Sequence, residues 1–344
     1  MSKKNHTKST KASTAFITGL AGQDGSYLAE LLLKKGYKVF GLVKKGDRYL
    51  KNIPKGVEVF YGNLGNPSAI RLIVSKSRPD EVYNLAGISD LKTAFKFPEK
   101  TMDVNFKAVC WLLGECLKVN PNVKFLQASS SEIFKQSRQP LSEKSARNWQ
   151  TDNPYARAKM EADRYLENIR KNKNTFACSA ILFNHESPRR PDKFVTRKIT
   201  STLSKIKLGL AECLELGNLD ARRDWGFAGD YVEAMWRILQ TDLPDDFIIA
   251  TGEAHSIKEF IETACNALSM KISWRDEGIK IEGVDQNGQI IVKINPDFYR
   301  PTEKYPKVGD ITKAKTILQW APKTSFEQLV EMMAREDLKS ISKK

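Results

Sequence analysis

The sequence predicts an α/β fold, a doubly wound parallel sheet followed by a smaller C-terminal α/β domain, and three observations predict it. Residues Thr14–Thr18 (TAFIT) form a short apolar, β-favouring run that ends at Gly19 and gives way to helical spacing at Ser26–Lys35. The same strand-then-helix alternation repeats along the first half of the chain, as a parallel sheet requires. Runs such as EVYNLA and VKFLQA are apolar without alternating, the pattern of strands buried on both faces.

Taken in order, the first helix stops at Gly36 and a strand follows at once over Lys38–Val43. Further strands are expected at Val57–Tyr61, Glu81–Leu85 and Val123–Gln127, each flanked by a helical stretch. A helix over Tyr155–Lys171 and a buried strand over Thr175–Phe183 continue the winding. Beyond that the chain changes character. Pro188, Pro191, Gly209, Gly217, Gly226 and Gly229 punctuate shorter elements, and Lys271–Ile294 is polar and strand-like. A final helix is expected at Ser325–Lys339, with Ser325 as its cap and Phe326, Leu329, Val330 and Met333 along one face. No internal repeat is visible.

With 344 residues, 41% hydrophobic and 28% charged, the chain has ample length for a buried core and is neither collagenous nor compositionally disordered. No run approaches the roughly 18 apolar residues of a spanning helix, and the Lys-rich Met1–Lys11 stretch lacks a signal peptide's apolar core, so a cytoplasmic location is expected. The net charge of +15 favours anionic partners. The basic residues are dispersed, however, and no zinc-finger spacing or RNP-type aromatic strand accompanies them. A polyanionic small molecule is therefore expected rather than nucleic acid. Cys110, Cys116, Cys178, Cys213 and Cys265 form no CxxC pair and read as reduced core thiols. The histidines, His6, His185 and His255, are too scattered for a metal site.

Between the first strand and helix lies Thr18-Gly19-Leu20-Ala21-Gly22-Gln23-Asp24-Gly25. Glycines at this spacing allow a tight turn, the approach of backbone N–H groups to a pyrophosphate, and close packing of a helix whose N-terminus carries partial positive charge. An ordinary glycine-rich turn is the alternative. The context makes the sheet a Rossmann-type one, with a dinucleotide at its first turn. Where an acid would grip an adenosine ribose, the second strand ends in Lys44-Lys45, followed by Arg48. Cations there favour a 2′-phosphate, hence NADP over NAD. Asn63, before Leu64, is placed to face the adenine edge.

Tyr155 and Lys159 lie four apart on a helix, hence on one face. An ammonium beside a phenol favours the phenolate, which makes Tyr155 a usable base for a sugar hydroxyl. A surface pair is the alternative. Ser129-Ser130-Ser131-Glu132 follows the Val123–Gln127 strand, at the carboxyl end where ligands of open sheets collect. There a hydroxyl can polarise a carbinol or ketone oxygen and a carboxylate can abstract a carbon-bound proton. The competing reading is a capping box between Ser129 and Glu132.

These residues resemble the extended short-chain dehydrogenase/reductase superfamily and, within it, the GDP-mannose 4,6-dehydratase family. ITGLAGQDGSYLAELLLKKGYKVFG, PDEVYNLAG, QASSSEIF, NPYARAKMEA, ILFNHESPRRPDKFVTRKIT, LGNLDARRDWGFAGDYVEAMW and FYRPTEK match family segments in order. The resemblance implies a GDP-sugar 4,6-dehydratase, a lyase of nucleotide-sugar metabolism and deoxysugar biosynthesis, working by internal hydride transfer through NADP. Tyr155 takes the O4 proton, Glu132 removes the C5 proton, Ser130 stands where the family has a threonine, and Lys159 supports the tyrosine. It implies a cofactor site of Gly19, Gly22, Gln23, Asp24, Gly25, Lys44, Asn63, Leu64, Leu85, Ala86, Tyr155 and Lys159. It also implies a GDP-sugar site of Ser89, Asn184, Glu186, Arg189, Val195, Lys198, Leu216, Arg223 and Arg300, where Arg223 and Arg300 suit a diphosphate.

The implied division is a basic extension at 1–12 and a dinucleotide-binding domain at 13–185, to which 228–252 return. A substrate-binding lid is formed by 186–227 and 253–344. A homo-oligomer, dimer or tetramer, is implied too. The chain departs from the family in a shorter Lys45–Val57 stretch, at Gly87-Ile88-Ser89-Asp90-Leu91, and at Phe227 where a histidine is usual. The second of these lies near the expected hexose, so another GDP-hexose or a GDP-heptose is also expected. A reductase or epimerase of GDP-4-keto-6-deoxy sugars would keep Tyr155 and Lys159 without needing Glu132, and a non-catalytic NADP-binding protein would need none of the four.

Overall fold

The computed structural model describes residues 12–299 and 305–343. The chain begins with β1 (Thr14–Thr18), α1 (Gln23–Lys34), β2 (Lys38–Val43), β3 (Glu58–Tyr61), α2 (Pro67–Ser77) and β4 (Glu81–Asn84). Two short helices, α3 (Leu91–Lys96) and α4 (Pro98–Met102), lead to α5 (Ala108–Val119), β5 (Lys124–Ala128), α6 (Pro154–Lys173) and β6 (Ala177–Leu182). Shorter elements follow: β7 (Asn184–Glu186), α7 (Val195–Lys207), β8 (Leu214–Leu216), β9 (Arg222–Arg223), β10 (Trp225–Phe227), α8 (Ala228–Ile238) and β11 (Phe247–Ile249). The remainder comprises β12 (His255–Ser256), α9 (Ile257–Ala267), β13 (Ser273–Arg275), β14 (Glu282–Val284), β15 (Ile290–Ile294), α10 (Thr312–Ile317) and α11 (Phe326–Ser342).

The central sheet has seven strands in the order β11-β6-β5-β4-β1-β2-β3, and every pairing in it is parallel. After β1 the chain winds outward through β2 and β3, then crosses back to place β4 on β1's other side. That reversal opens a crevice beyond the carboxyl ends of β1 and β4. Apolar side chains bury both faces, as the non-alternating runs predict. Ile17, Leu28, Leu32, Tyr231, Met235 and Trp320 pack in the cluster on one face, and Phe16, Phe125, Leu112, Leu113 and Leu166 in the other. Each such side chain contributes roughly 1.5–3 kcal/mol on burial. A second core gathers Ile199, Leu203, Phe260, Val330 and Met333 beside a four-stranded sheet ordered β13-β14-β15-β8.

Local chemistry sets the helix ends that matter for the site. α1 starts at Gln23, three residues before the apolar spacing begins, because extended Gly22 caps it and Gly25 lies within its first turn. A Cβ on Gly25 would stand 2.3 Å from Gly19 O, so only glycine lets the helix sit this close to the strand end. Asn153 starts α6, its Oδ1 accepting from Tyr155 N and Ala156 N, with Pro154 in the first turn. Asn174 closes that helix in the left-handed region. Ser325 caps α11 as expected, in a reciprocal capping box with Gln328, and that helix runs on to Ser342. Cys116, Cys178 and Cys265 are buried free thiols, while Cys110 and Cys213 are partly exposed.

Candidate active site

The glycine turn is built for an anion. Gly19 adopts a left-handed conformation, φ 71°, and a Cβ there would meet Ala86 N at 2.9 Å. At Gly22, by contrast, an added Cβ would meet only Gly19 O, at 3.1 Å. The first turn of α1 is thus open on the side a diphosphate would approach, with its N–H groups and dipole behind it. Leu64 is buried and Leu85 and Ala86 are partly buried, Ala86 N donating to Thr18 Oγ1 at 3.1 Å. Asn63 is exposed, its Oδ1 accepting from Gly65 N. At the end of β2, Lys44, Lys45 and Arg48 are exposed, and Asp47 turns its carboxylate to Tyr49 N. These residues fit a dinucleotide with a phosphate on its ribose.

At the carboxyl end of β5 the four predicted catalytic side chains come together. The capping-box reading of Ser129 and Glu132 does not hold. Ser130 instead caps a single 3₁₀ turn, accepting from Glu132 N at 3.3 Å, and Ser129 Oγ donates to buried Asp163 Oδ2 at 2.6 Å. Burial pushes the Tyr155 phenol up to about 12, the Ser130 hydroxyl acting against that rise and the Glu132 charge adding to it. Lys159 shares a helix face with Tyr155, as the spacing predicts, its Nζ 5.8 Å from the ring centroid. The ammonium, however, donates to Ala128 O at 2.6 Å, which satisfies one of the donors of a buried cation. Burial pushes Lys159 down to about 8, the Asp163 charge opposing it. Asp163 is itself raised to about 6, by burial first and then by the Asp246 charge.

That carbonyl ends a buried polar chain that sequence reading does not reveal. Thr18 Oγ1 donates to Asn84 Oδ1 at 2.6 Å, Asn84 Nδ2 to Gln127 Oε1 at 2.6 Å, and Gln127 Nε2 to Ala128 O at 2.8 Å. The chain crosses the ends of β1, β4 and β5 under the crevice and meets Lys159 at its far end. Thr18, Asn84 and Gln127 are polar residues at or next to the ends of their strands, which is the trace of it in the sequence. The loop after β4 lies alongside: a Cβ on Gly87 would be 3.8 Å from Lys159 Nζ. Ser89 is exposed on that loop, which Asn105 pins through Ile88 N and Ile88 O.

Asp24 and Gln23 face away from open solvent and tie α1 to β7. Asp24 Oδ2 lies 2.9 Å from His185 Nε2, His185 Nδ1 lies 2.8 Å from Phe183 O, and Gln23 bonds to both His185 O and Ser187 Oγ. Two acceptors on one imidazole require the cation. Burial opposes both charges most strongly, but the partners' attraction and hydrogen bonds outweigh it, lowering Asp24 below 3.8 and raising His185 above 6.5. The His185 contribution to stability is full below 6.5 and lost as pH rises through its folded value. The Asp24 contribution is present above 3.8 and lost as pH falls through its folded value. Asp24→Asn is therefore expected to cost about 3 kcal/mol near pH 6 and progressively less as pH rises through the folded value of His185. Melting curves across that range check it, and a gap that stays constant counts against the pairing.

Comparison with known proteins accords with this geometry. Residues 16–333 match the family model described as GDP-mannose 4,6 dehydratase. This chain belongs to the GDP-mannose 4,6-dehydratase family. Among its relatives, GDP-mannose 4,6 dehydratase 2 of Caenorhabditis elegans is 42% identical over 94% of this chain and 88% of its own. The human GDP-mannose 4,6 dehydratase is 42% identical over 94% and 91%. The fold is shared more widely. A UDP-glucose 4-epimerase of Thermotoga maritima, solved with UDP-glucose, superposes with a TM-score of 0.79 at 20% identity, over 95% of this chain and 99% of that one.

The GDP-sugar positions that the family resemblance implies are spread over several elements. Glu186 is buried on β7, accepting from Thr196 Oγ1 at 2.6 Å with Arg190 Nε at 3.0 Å, and Asn184 starts the same strand. Lys198 of α7 donates to Glu215 O at 2.6 Å and lies 4.6 Å from the Phe298 ring centroid, which brings it beside buried Leu216 at the end of β8. Val195 is exposed at the first position of α7, one turn before Lys198. Arg223 is partly exposed on β9, its Nη1 donating to Arg222 O at 2.8 Å. Arg189 stands against α1. Its guanidinium reaches Ser26 Oγ and Glu30 Oε1 and covers the Tyr27 ring at 4.0 Å, so it clamps α1 and faces a carboxylate. Arg300 lies outside the described residues.

Proposed function

We propose that the protein is a GDP-sugar 4,6-dehydratase, converting GDP-mannose or a close GDP-hexose or GDP-heptose to the 4-keto-6-deoxy sugar. The observation that carries this reading is the meeting of Glu132 with Ser130, Tyr155 and Lys159 at the end of β5, beside the open glycine turn. Bound NADP would supply a reversible hydride acceptor at the strand ends, held by the glycine turn and by Lys44 and its neighbours.

Tyr155 takes the proton from the sugar O4 as the carbinol becomes a ketone, with the Ser130 hydroxyl bonding the same oxygen. Lys159, fixed by Ala128 O, keeps positive charge at the tyrosine's helix face. The 4-ketone acidifies the neighbouring C5–H. Glu132 removes that proton, and water departs from C6. A reductase has no work for Glu132 and must exchange its cofactor every turnover, which is why the dehydratase reading is preferred.

In this reading residues 13–185 and 228–252 hold the cofactor, 186–227 and 253–344 the sugar nucleotide, and the working enzyme is a cytoplasmic homo-oligomer. Among the described residues no helix is long and apolar enough to cross a membrane. The test is mass spectrometry of GDP-mannose and GDP-manno-heptose, each incubated with the purified protein without added reductant. Loss of one water from either is the expected result. A protein with bound cofactor that dehydrates no GDP-sugar overturns the reading.

A further inference from the structure

Glu132 has a charged partner that lies in none of the sequence motifs. Lys307 Nζ donates to Glu132 Oε2 at 2.9 Å, and only 10% of the lysine side chain is exposed. The contact is held from behind by main chain. Leu141 N donates to Val308 O and Asp310 N to Leu141 O, both at 2.8 Å, and Gly309 N donates to Asp224 Oδ2 at 3.2 Å. A Cβ on Gly309 would come within 2.3 Å of the Ala250 Cβ, so the segment is seated tightly against the end of β11. Among the described residues Oε1 of Glu132 accepts no hydrogen bond from the protein.

Asp163, the other carboxylate that acts on the Tyr155 phenol, is already committed. Ser131 precedes Glu132, and both oxygens of Asp163 are taken by Ser129 and Ser179. One carboxylate must then serve both halves of the elimination. We propose that Lys307 is the positioning residue of Glu132, holding one carboxylate oxygen so that the other meets the sugar and keeping a cation beside it throughout turnover. This rests on the reading of Glu132 as the group that removes the C5 proton.

In the first half, the C5–H bond breaks, its proton goes to Glu132, and its electron pair enters the enolate of the 4-ketone. In the second, the C6–O bond breaks, the enolate pair forms the C5–C6 double bond, and Glu132 gives its proton to the departing hydroxyl as water. An ammonium at this distance attracts the carboxylate and holds its orientation in both halves. Among the described residues this corner also holds Tyr155 of α6, whose phenol feels Glu132, Arg190 and Asp163, which act on the same phenol, and Lys159.

The test compares wild type with Lys307→Met, Lys307→Gln and Lys307→Arg in the full-length, cofactor-loaded protein. The main-chain bonds that seat residues 308–310 do not involve the lysine side chain, and circular dichroism confirms folding of each variant. Water loss from GDP-mannose and the appearance of reduced nicotinamide are followed separately. In Lys307→Met and Lys307→Gln, kcat for dehydration is expected to fall roughly tenfold with KM within about twofold and reduced nicotinamide to build up, because oxidation at C4 does not need the lysine, and Lys307→Arg is expected to restore the rate. Dehydration at the wild-type rate in both uncharged variants, or no restoration by Lys307→Arg, overturns the proposal. Dehydration that Glu132→Gln leaves intact overturns the functional reading instead.

Discussion

Glu132→Gln is expected to stop the reaction at the ketone. The amide keeps the size of the side chain and can still bond Lys307's neighbourhood, but it cannot accept a carbon-bound proton. Dehydration should fall by about 10²–10⁴-fold, the usual contribution of a positioned acid–base group. Oxidation at C4 does not need this carboxylate. Reduced-nicotinamide absorbance should therefore rise on mixing with GDP-mannose and stay high, and the 4-keto sugar without water loss should be recoverable by mass spectrometry. A variant that loses water at the wild-type rate removes Glu132 from the chemistry.

Tyr155→Phe is expected to act one step earlier and to leave no such signal. Without the phenol nothing accepts the O4 proton, so the carbinol is not oxidised and no reduced nicotinamide appears; a loss of about 10²–10⁴-fold in kcat follows. GDP-sugar and cofactor binding should change little, because the ring and the Ser130 hydroxyl remain. The pH dependence has a definite sign. Burial holds the unliganded phenol near 12, so the phenolate fraction grows as pH rises. Lys159 sits near 8 and surrenders its ammonium above that value, so kcat should climb with pH and level off above about 8. Stopped-flow absorbance separates the two variants in one experiment. If both accumulated reduced cofactor, the assignment of Tyr155 would be wrong.

The four catalytic candidates are legible in the sequence because each sits at a place that local rules mark. Ser130 and Glu132 follow a strand end, and Tyr155 and Lys159 are one helix turn apart after an Asn-Pro cap. The sheet was readable for the same reason: Gly19, Gly22 and Gly25 lie where a strand stops and helical spacing begins. What sequence reading misses is long-range. Lys307 is 175 positions from Glu132, and no periodicity connects them. His185 was visible only as an isolated histidine, although its partner Asp24 lies in the motif singled out for the cofactor.

Arginine illustrates a different limit. Guanidinium forks suit a diphosphate and a carboxylate equally, and from sequence alone Arg189 cannot be told from a diphosphate ligand. The fold gives it Glu30. Lys198 likewise is committed to a backbone carbonyl of β8. Gln23 and Asp24 were read for their place in the glycine turn, yet their side chains join α1 to β7 and set the angle between them. Helix starts move where a glycine or proline carries the first turn, by three residues at α1 and by one at α6, since apolar spacing does not register such residues.

The bridge between Leu141 and Gly309 has a consequence for the order in which the molecule is made. Everything needed to wind strands β1 to β6 and to bring Tyr155 onto Ser130 has been synthesised once the chain reaches Leu182. The counter-ion of Glu132 comes from position 307, after α9 and the small sheet have formed. A nascent or prematurely ended chain thus holds a complete nucleotide fold around an unpartnered carboxylate. The surroundings of Glu132 are completed only when the segment carrying residue 307 closes over the 141 loop.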